Sequence, residues 1–157
     1  MVEVDGEPEI VLVEPVPVAV LRESVAVEEL TSFYDRAFDA VADELERQQV
    51  GRVGPALAVY RGTPGATVDV AAGFPVQRPV DTAAGITGTE LPGGMVVQAL
   101  HVGAYDRLGE TYERLRAFAA DQGVELADVM WESYLTEPTP EADPASMRTR
   151  VSWLLRG

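Results

Sequence analysis

The 157-residue chain has no lysine, no cysteine and no asparagine, and only one histidine. Without cysteine there is no disulfide, no thiolate metal site and no cysteine nucleophile, and the redox compartment stays unspecified. With His101 as the sole imidazole, neither a multi-histidine metal site nor a Ser-His-Asp arrangement with a spare base can be assembled. As a haem ligand it would be a solitary axial residue. Acidic residues are plentiful, but none follow the spacing of a calcium-binding loop. Gly93 and Gly94 lack the context of a phosphate-binding loop and precede a strand, so they make a turn. No metal and no cofactor is called for.

Also missing is any apolar run near the ~20 residues that span a bilayer. The start, M-V-E-V-D-G-E-P-E, lacks the basic and apolar segments of a secretory signal, which leads us to expect a cytoplasmic protein. Positive charge is scarce as well. The 12 basic residues, all arginine, face 26 acidic ones, for a net charge of −14. Such a field repels nucleic acid and anionic membranes, so neither is expected as a direct partner, while cations are attracted. The length fits one domain able to bury a core without covalent staples.

What is present repeats. Val16 to Arg22 reads as a strand, with Pro17 near its start where a missing donor is tolerated. From Glu28 to Gln49 apolar side chains fall at Leu30, Phe33, Tyr34, Ala37, Phe38, Val41 and Leu45, the spacing of an amphipathic helix, with Gly51 past its end. Strands follow at Ala56 to Tyr60 and Thr67 to Phe74, joined by a turn. The second half runs in the same order: a strand from Gly94 to His101, a helix from Leu108 to Gly123, and strands at Val129 to Leu135 and Thr149 to Leu154. The expected fold is therefore α+β, a duplicated β-α-β-β unit with halves at about 16–76 and 94–154. Pseudo-two-fold symmetry would place two helices on one face of an antiparallel sheet. Residues 1–15 read as an extension, 75–93 as a junction of loops, and the Pro-rich 136–147 as a hairpin loop.

One residue resists this pattern. M-W-E-S-Y-L-T-E-P, residues 130–138, sets Glu132 in an aromatic-rich strand, where an unpartnered charge costs several kcal/mol. Alternation gives Met130, Glu132 and Tyr134 one face and Trp131 the other. Overlaying the halves sets Ala58 against Glu132 and Tyr60 against Tyr134. A hollow walled by Tyr60, Tyr134 and Met130, holding one carboxylate, would suit a flat lipophilic cation. The alternative is a solvated Glu132, or one paired with an arginine such as Arg150.

P-A-L-A-V-Y-R-G at 55–62, G-F-P-V at 73–76, L-P-G-G-M at 91–95, H-V-G-A-Y at 101–105 and W-E-S-Y-L-T-E-P at 131–138 occur in the order that marks another set of proteins. From Val16 to Leu154 the chain resembles the GyrI-like family, the effector-binding domains of bacterial multidrug-responsive transcription activators. The resemblance implies one small-molecule-binding domain over 1–157, with the duplicated fold also seen in SOUL-type haem-binding proteins. It also implies that the W-E-x-Y glutamate, Glu132, meets lipophilic cationic or aromatic compounds. Family regulators carry a DNA-binding domain first, for which this chain has no room, so a stand-alone binding module is expected.

Two other branches of the family imply alternatives. One is hydrolysis of strained cyclopropane-bearing alkylating toxins, with Glu132 as general base and Tyr60 or Trp131 positioning the electrophile. Trp131, on the opposite face by alternation, would need a bulge to take part. The other is a protein partner, a topoisomerase or a transcription regulator, met by the acidic surface. Tyr105 is a candidate for the pocket edge, Tyr112 for packing helix on sheet, and Phe74, Trp153, Val18 and Val20 for core or wall. His101 is expected to satisfy backbone at a helix start, with Gly103 permitting the turn.

Overall fold

A computed structural model describes residues 7–62, 65–104, 107–136 and 144–156. In chain order the elements are β1 (Glu9–Val13), β2 (Val16–Ala26), α1 (Leu30–Gln48), β3 (Leu57–Arg61), β4 (Thr67–Pro75), β5 (Thr87–Leu91), β6 (Gly94–Val102), α2 (Leu108–Gln122), β7 (Leu126–Tyr134) and β8 (Arg148–Leu155). They fall into two compact units, one of residues 14–93 and one of residues 1–13 with 94–157. All the strand pairs within these units are antiparallel, giving an α+β fold with one helix per unit.

In the 14–93 unit the strands lie in the order β3-β4-β2-β5. α1 packs on β2 and β4. Its sheet-facing stripe, Phe33, Ala37, Val41 and Leu45, is buried, and Val41 and Leu45 join Ala19, Val50, Phe74, Val76, Val80 and Ile86 in the core. A 3-10 turn at Val27–Glu29 leads into the helix. The helix ends where Gln49 turns left-handed at φ 59°, so the reversal comes two residues before Gly51, where the sequence places it. The amides of Gln49 and Val50 close the last turn on the carbonyls of Glu46 and Leu45.

The other unit repeats this plan with the order β1-β6-β8-β7. α2 packs on β6 and β8, and Leu108 and Leu115 meet Val97, Ala99 and Val151 in its core. The helix stops at Gly123, φ 71°, as the sequence indicates. Each unit thus carries strand-helix-strand-strand, laid out as second, third and first strand and then an added edge strand.

Those edge strands are what the sequence reading lacks. The segment read as an extension contains β1, which pairs with β6 from Glu9↔Gln98 to Val13↔Gly94. The junction read as loops contains β5, which pairs with β2 from Val16↔Leu91 to Val20↔Thr87. T-G-T-E-L has little β-propensity and almost no apolar alternation, so β5 owes its conformation to the neighbouring strand. Of the Pro-rich loop, residues 137–143 lie outside the described set, and Pro144–Ser146 forms a 3-10 turn.

Candidate functional site

The register of β6, β8 and β7 arranges the side chains facing α2 in three cross-strand rows: Val97–Trp153–Met130, Ala99–Val151–Glu132 and His101–Thr149–Tyr134. Val97, Ala99 and Val151 belong to the core with Leu108 and Leu115, which fixes this face as the helix-covered one. The first row is apolar and the third polar. Glu132 stands where one gives way to the other.

Its side chain is 2% exposed, which removes the reading of a solvated carboxylate. Arg150 is exposed and sits on the other face, in the row of Leu100 and Ser133, so it is not the partner either. The Tyr134 hydroxyl donates to Glu132 Oε1 at 2.7 Å. Met130, half-buried, packs against the apolar row. The register irregularity of β7 lies between Leu126 and Met130. Alternation is therefore unbroken through the site, and Trp131, 5% exposed, stays on the opposite face in the row of Gln98 and Ser152.

The polar row continues into α2. His101 Nε2 lies 2.9 Å from the Ala104 carbonyl oxygen, and Nδ1 lies 2.8 Å from Thr111 Oγ1. A carbonyl only accepts, so Nε2 carries a proton, and in the neutral ring Nδ1 accepts from the Thr111 hydroxyl. Arg114 donates to the Thr111 oxygen at 3.2 Å. This is the structural role expected of His101, and Gly103, φ 133°, makes the turn beside it. At the start of α2, Arg107 bonds Glu110, and its guanidinium, with Arg114 adding to it, holds that carboxyl below the usual range.

Thr149, the middle of the third row, is fully buried, and its Oγ1 has no hydrogen-bond partner among the described residues. Leaving a buried hydroxyl unsatisfied costs about 1–3 kcal/mol. Both ring nitrogens of neighbouring His101 are engaged elsewhere, and the Tyr134 hydroxyl is turned to Glu132.

In the 14–93 unit, Ala58 and Tyr60 share the α1-facing side of β3, opposite Ala72 and Val70. Ala58 is fully buried, and the Tyr60 hydroxyl bonds that of Tyr34 on α1. Tyr34 begins an aromatic series. It stacks on Phe38 at 6.2 Å and 15°, Phe38 meets Phe74 at 5.7 Å, and the Arg52 guanidinium lies 4.5 Å above the Phe74 ring. The Phe74 ring face thus accepts a cation from the protein itself. Val18 and Val20, on the other side of β2, are buried. Tyr105 lies outside the described residues.

A hollow of about 720 Å³, open to solvent, is lined by Pro15, Pro79, Val80 and residues 88–93, none of them predicted site residues. Its one charged group is Glu90. We place the candidate site at Glu132 because buried polar groups converge there on one carboxylate. Among the described residues no cluster of His, Cys, Asp or Glu could hold a metal ion, and no helix is long and apolar enough to cross a membrane.

Residues 6–155 match the GyrI-like family, described as a GyrI-like small molecule binding domain. The chain belongs to the GyrI-like family. No curated protein matches it by sequence. Among solved structures, the EcmrR C-terminal domain is similar, with a TM-score of 0.84 and 17% identity over 96% of this chain and 98% of that one. EcmrR in a complex with DNA gives 0.82 and 19%, covering 95% of this chain; this GyrI-like chain spans 57% of the length of that relative. SAV2435 bound to tetraphenylphosphonium gives 0.66 and 11%, covering 96% and 94%. A hydrolase encoded by lin2189 from Listeria innocua gives 0.65 and 14%, covering 96% and 92%. At these identities the likeness is one of fold.

Sequence reasoning about this GyrI-like chain missed two polar contributors to the Glu132 face, Thr111 and Thr149, and in the 14–93 unit the Tyr34 hydroxyl that bonds Tyr60. Tyr34 lies on the apolar stripe of α1, a position where a hydroxyl needs a buried partner, and that signal was readable. Thr149 gave none, because only the register of three strands makes it a neighbour of His101 and Tyr134.

Proposed function

We propose that this GyrI-like chain captures lipophilic aromatic or cationic compounds, with Glu132 as counter-charge and Tyr134 and Met130 beside it on the same face of β7. The observation that carries the reading is a carboxylate buried to 2% exposure at the boundary of an apolar and a polar row, bonded by a tyrosine hydroxyl. Burying a carboxylate is costly even where a hydroxyl donates to it. An organic cation offsets that cost and brings its own apolar surface. The fold neighbour SAV2435, bound to tetraphenylphosphonium, supplies a precedent for such a ligand.

The test compares tetraphenylphosphonium with tetraphenylmethane-type neutral analogues, made soluble by a remote polar tail, on the protein and its Glu132→Gln variant. Removing the counter-charge leaves the cation desolvated, so its Kd rises at least about tenfold while that of the neutral analogue changes less than about twofold. Equal losses would overturn the reading.

A second reading, hydrolysis of a strained electrophile, rests on the same buried carboxylate acting as a base toward water. The Listeria neighbour described as a hydrolase keeps it in view. Trp131, on the opposite face, is outside its reach, so Glu132 with Tyr134 would carry the step. Product exceeding one equivalent of protein would establish turnover; stoichiometric capture would exclude it.

A further inference from the structure

We infer that the Thr149 hydroxyl is the hydrogen-bonding determinant of the Glu132 site, selecting ligands that carry a hydroxyl, carbonyl or ring-nitrogen group on their aromatic frame. The inference deepens the capture reading above and rests on it. Thr149 is fully buried and its Oγ1 has no partner among the described residues, yet it stands in the middle of the polar row on the helix-covered face of β6, β8 and β7. Its cross-strand neighbours are His101 and Tyr134, and the Glu132 row is the next along. Directly opposed side chains on such a face have Cβ atoms ~5 Å apart, so a group held beside Tyr134 and Glu132 comes within reach of Thr149.

The surroundings show why the hydroxyl is not needed by the fold. His101 has its nitrogens on Thr111 and the Ala104 carbonyl. Tyr134 donates to Glu132. Thr111 serves His101 and receives Arg114. Each neighbour has a partner that turns it away from Thr149. A hydroxyl both donates and accepts, so it reads a polar substituent of either kind. Sites that hydrogen-bond a ligand group reject the analogue that lacks it far more sharply than apolar pockets tell shapes apart.

The experiment measures binding of tetraphenylphosphonium and its mono-4-hydroxyphenyl analogue by titration, together with the Tm of the free protein. The wild type is expected to prefer the hydroxylated cation by about tenfold, the worth of one well-made hydrogen bond. Thr149→Val, which swaps hydroxyl for methyl at constant shape, should bring the ratio of the two affinities to about one without lowering Tm. Thr149→Ser should keep the preference. A Thr149→Val ratio equal to that of the wild type would overturn the inference, as would a fall in Tm of ~3 °C or more, which would assign the hydroxyl to the fold. If the wild type binds neither cation, the capture reading itself falls and takes this inference with it. That failure is distinct, because it appears before any substitution at Thr149.

Discussion

An imidazole bonded at both nitrogens has its tautomer set by its partners, and in this protein the Ala104 carbonyl sets it while a helix hydroxyl serves the other nitrogen. Thr111 is fully buried, and its oxygen joins Arg114 on one side to His101 on the other. Removing that hydroxyl strands the imidazole Nδ1 in a buried place and leaves Arg114 one acceptor short. Thr111→Val is therefore expected to destabilise the protein by about 1–3 kcal/mol, a range that urea denaturation resolves easily. An unchanged midpoint would mean that water replaces the hydroxyl. Thr149→Val carries the opposite expectation although residue type and burial are the same, because its oxygen bonds nothing that would be lost. The contrast isolates satisfaction of the hydrogen bond from burial.

At the scale of elements, the C-terminus of α1 is tied down by one acid. The Glu44 side chain, 6% exposed, accepts from Arg47 and from Gln48 Nε2, the latter at 2.7 Å. Gln48 in turn brackets Asp81 through both backbone groups, at 2.9 Å and 3.1 Å. These donors, Arg47 first, lower the Glu44 pKa below its ordinary value of 4.5. A folded-state pKa below the unfolded one means that the stabilisation is complete above about pH 4.5 and is lost as pH falls through the depressed value. The wild type should thus melt above Glu44→Gln at pH 7, and the gap should narrow as pH falls below about 4.5; a gap independent of pH would contradict this. A second element-scale constraint is Gly73 in β4, placed between Val20 of β2 and Leu57 of β3, where an added Cβ would collide with the Ala19 carbonyl oxygen. Gly73→Ala should cost about 3 kcal/mol or more, or yield insoluble protein, since backbone cannot yield as a side chain does. At this same scale the sequence was most readable. The period of α1, the Gly123 stop of α2 and the repeated order of elements are local signals, and each appears in the structure. β1 and β5 escaped because an edge strand takes its shape from the strand it joins and needs no strong pattern of its own. In the site, the face shared by Met130, Glu132 and Tyr134 followed from alternation alone. The Tyr34–Tyr60 pair and the orphan hydroxyl of Thr149 needed registers between segments far apart in the chain.

The molecule as a whole carries a net charge of −14, and that field acts on both folding and capture, in opposite directions with salt. Like charges packed into a folded chain repel one another, and screening relieves this strain, so Tm should rise as salt is added. A cationic ligand approaching the same surface is attracted, and screening weakens that attraction. The Debye length falls from ~30 Å at 0.01 M salt to ~8 Å at 0.15 M, so most of the long-range pull disappears over that interval. We expect the association rate of tetraphenylphosphonium to drop several-fold across it while its dissociation rate, governed by contacts at the buried Glu132, changes little. The neutral analogue should show neither trend. Stopped-flow kinetics in parallel with thermal melts would separate the contributions: a salt-independent association rate together with a rising Tm would mean that the acidity stabilises solubility alone and plays no part in bringing cations to the site.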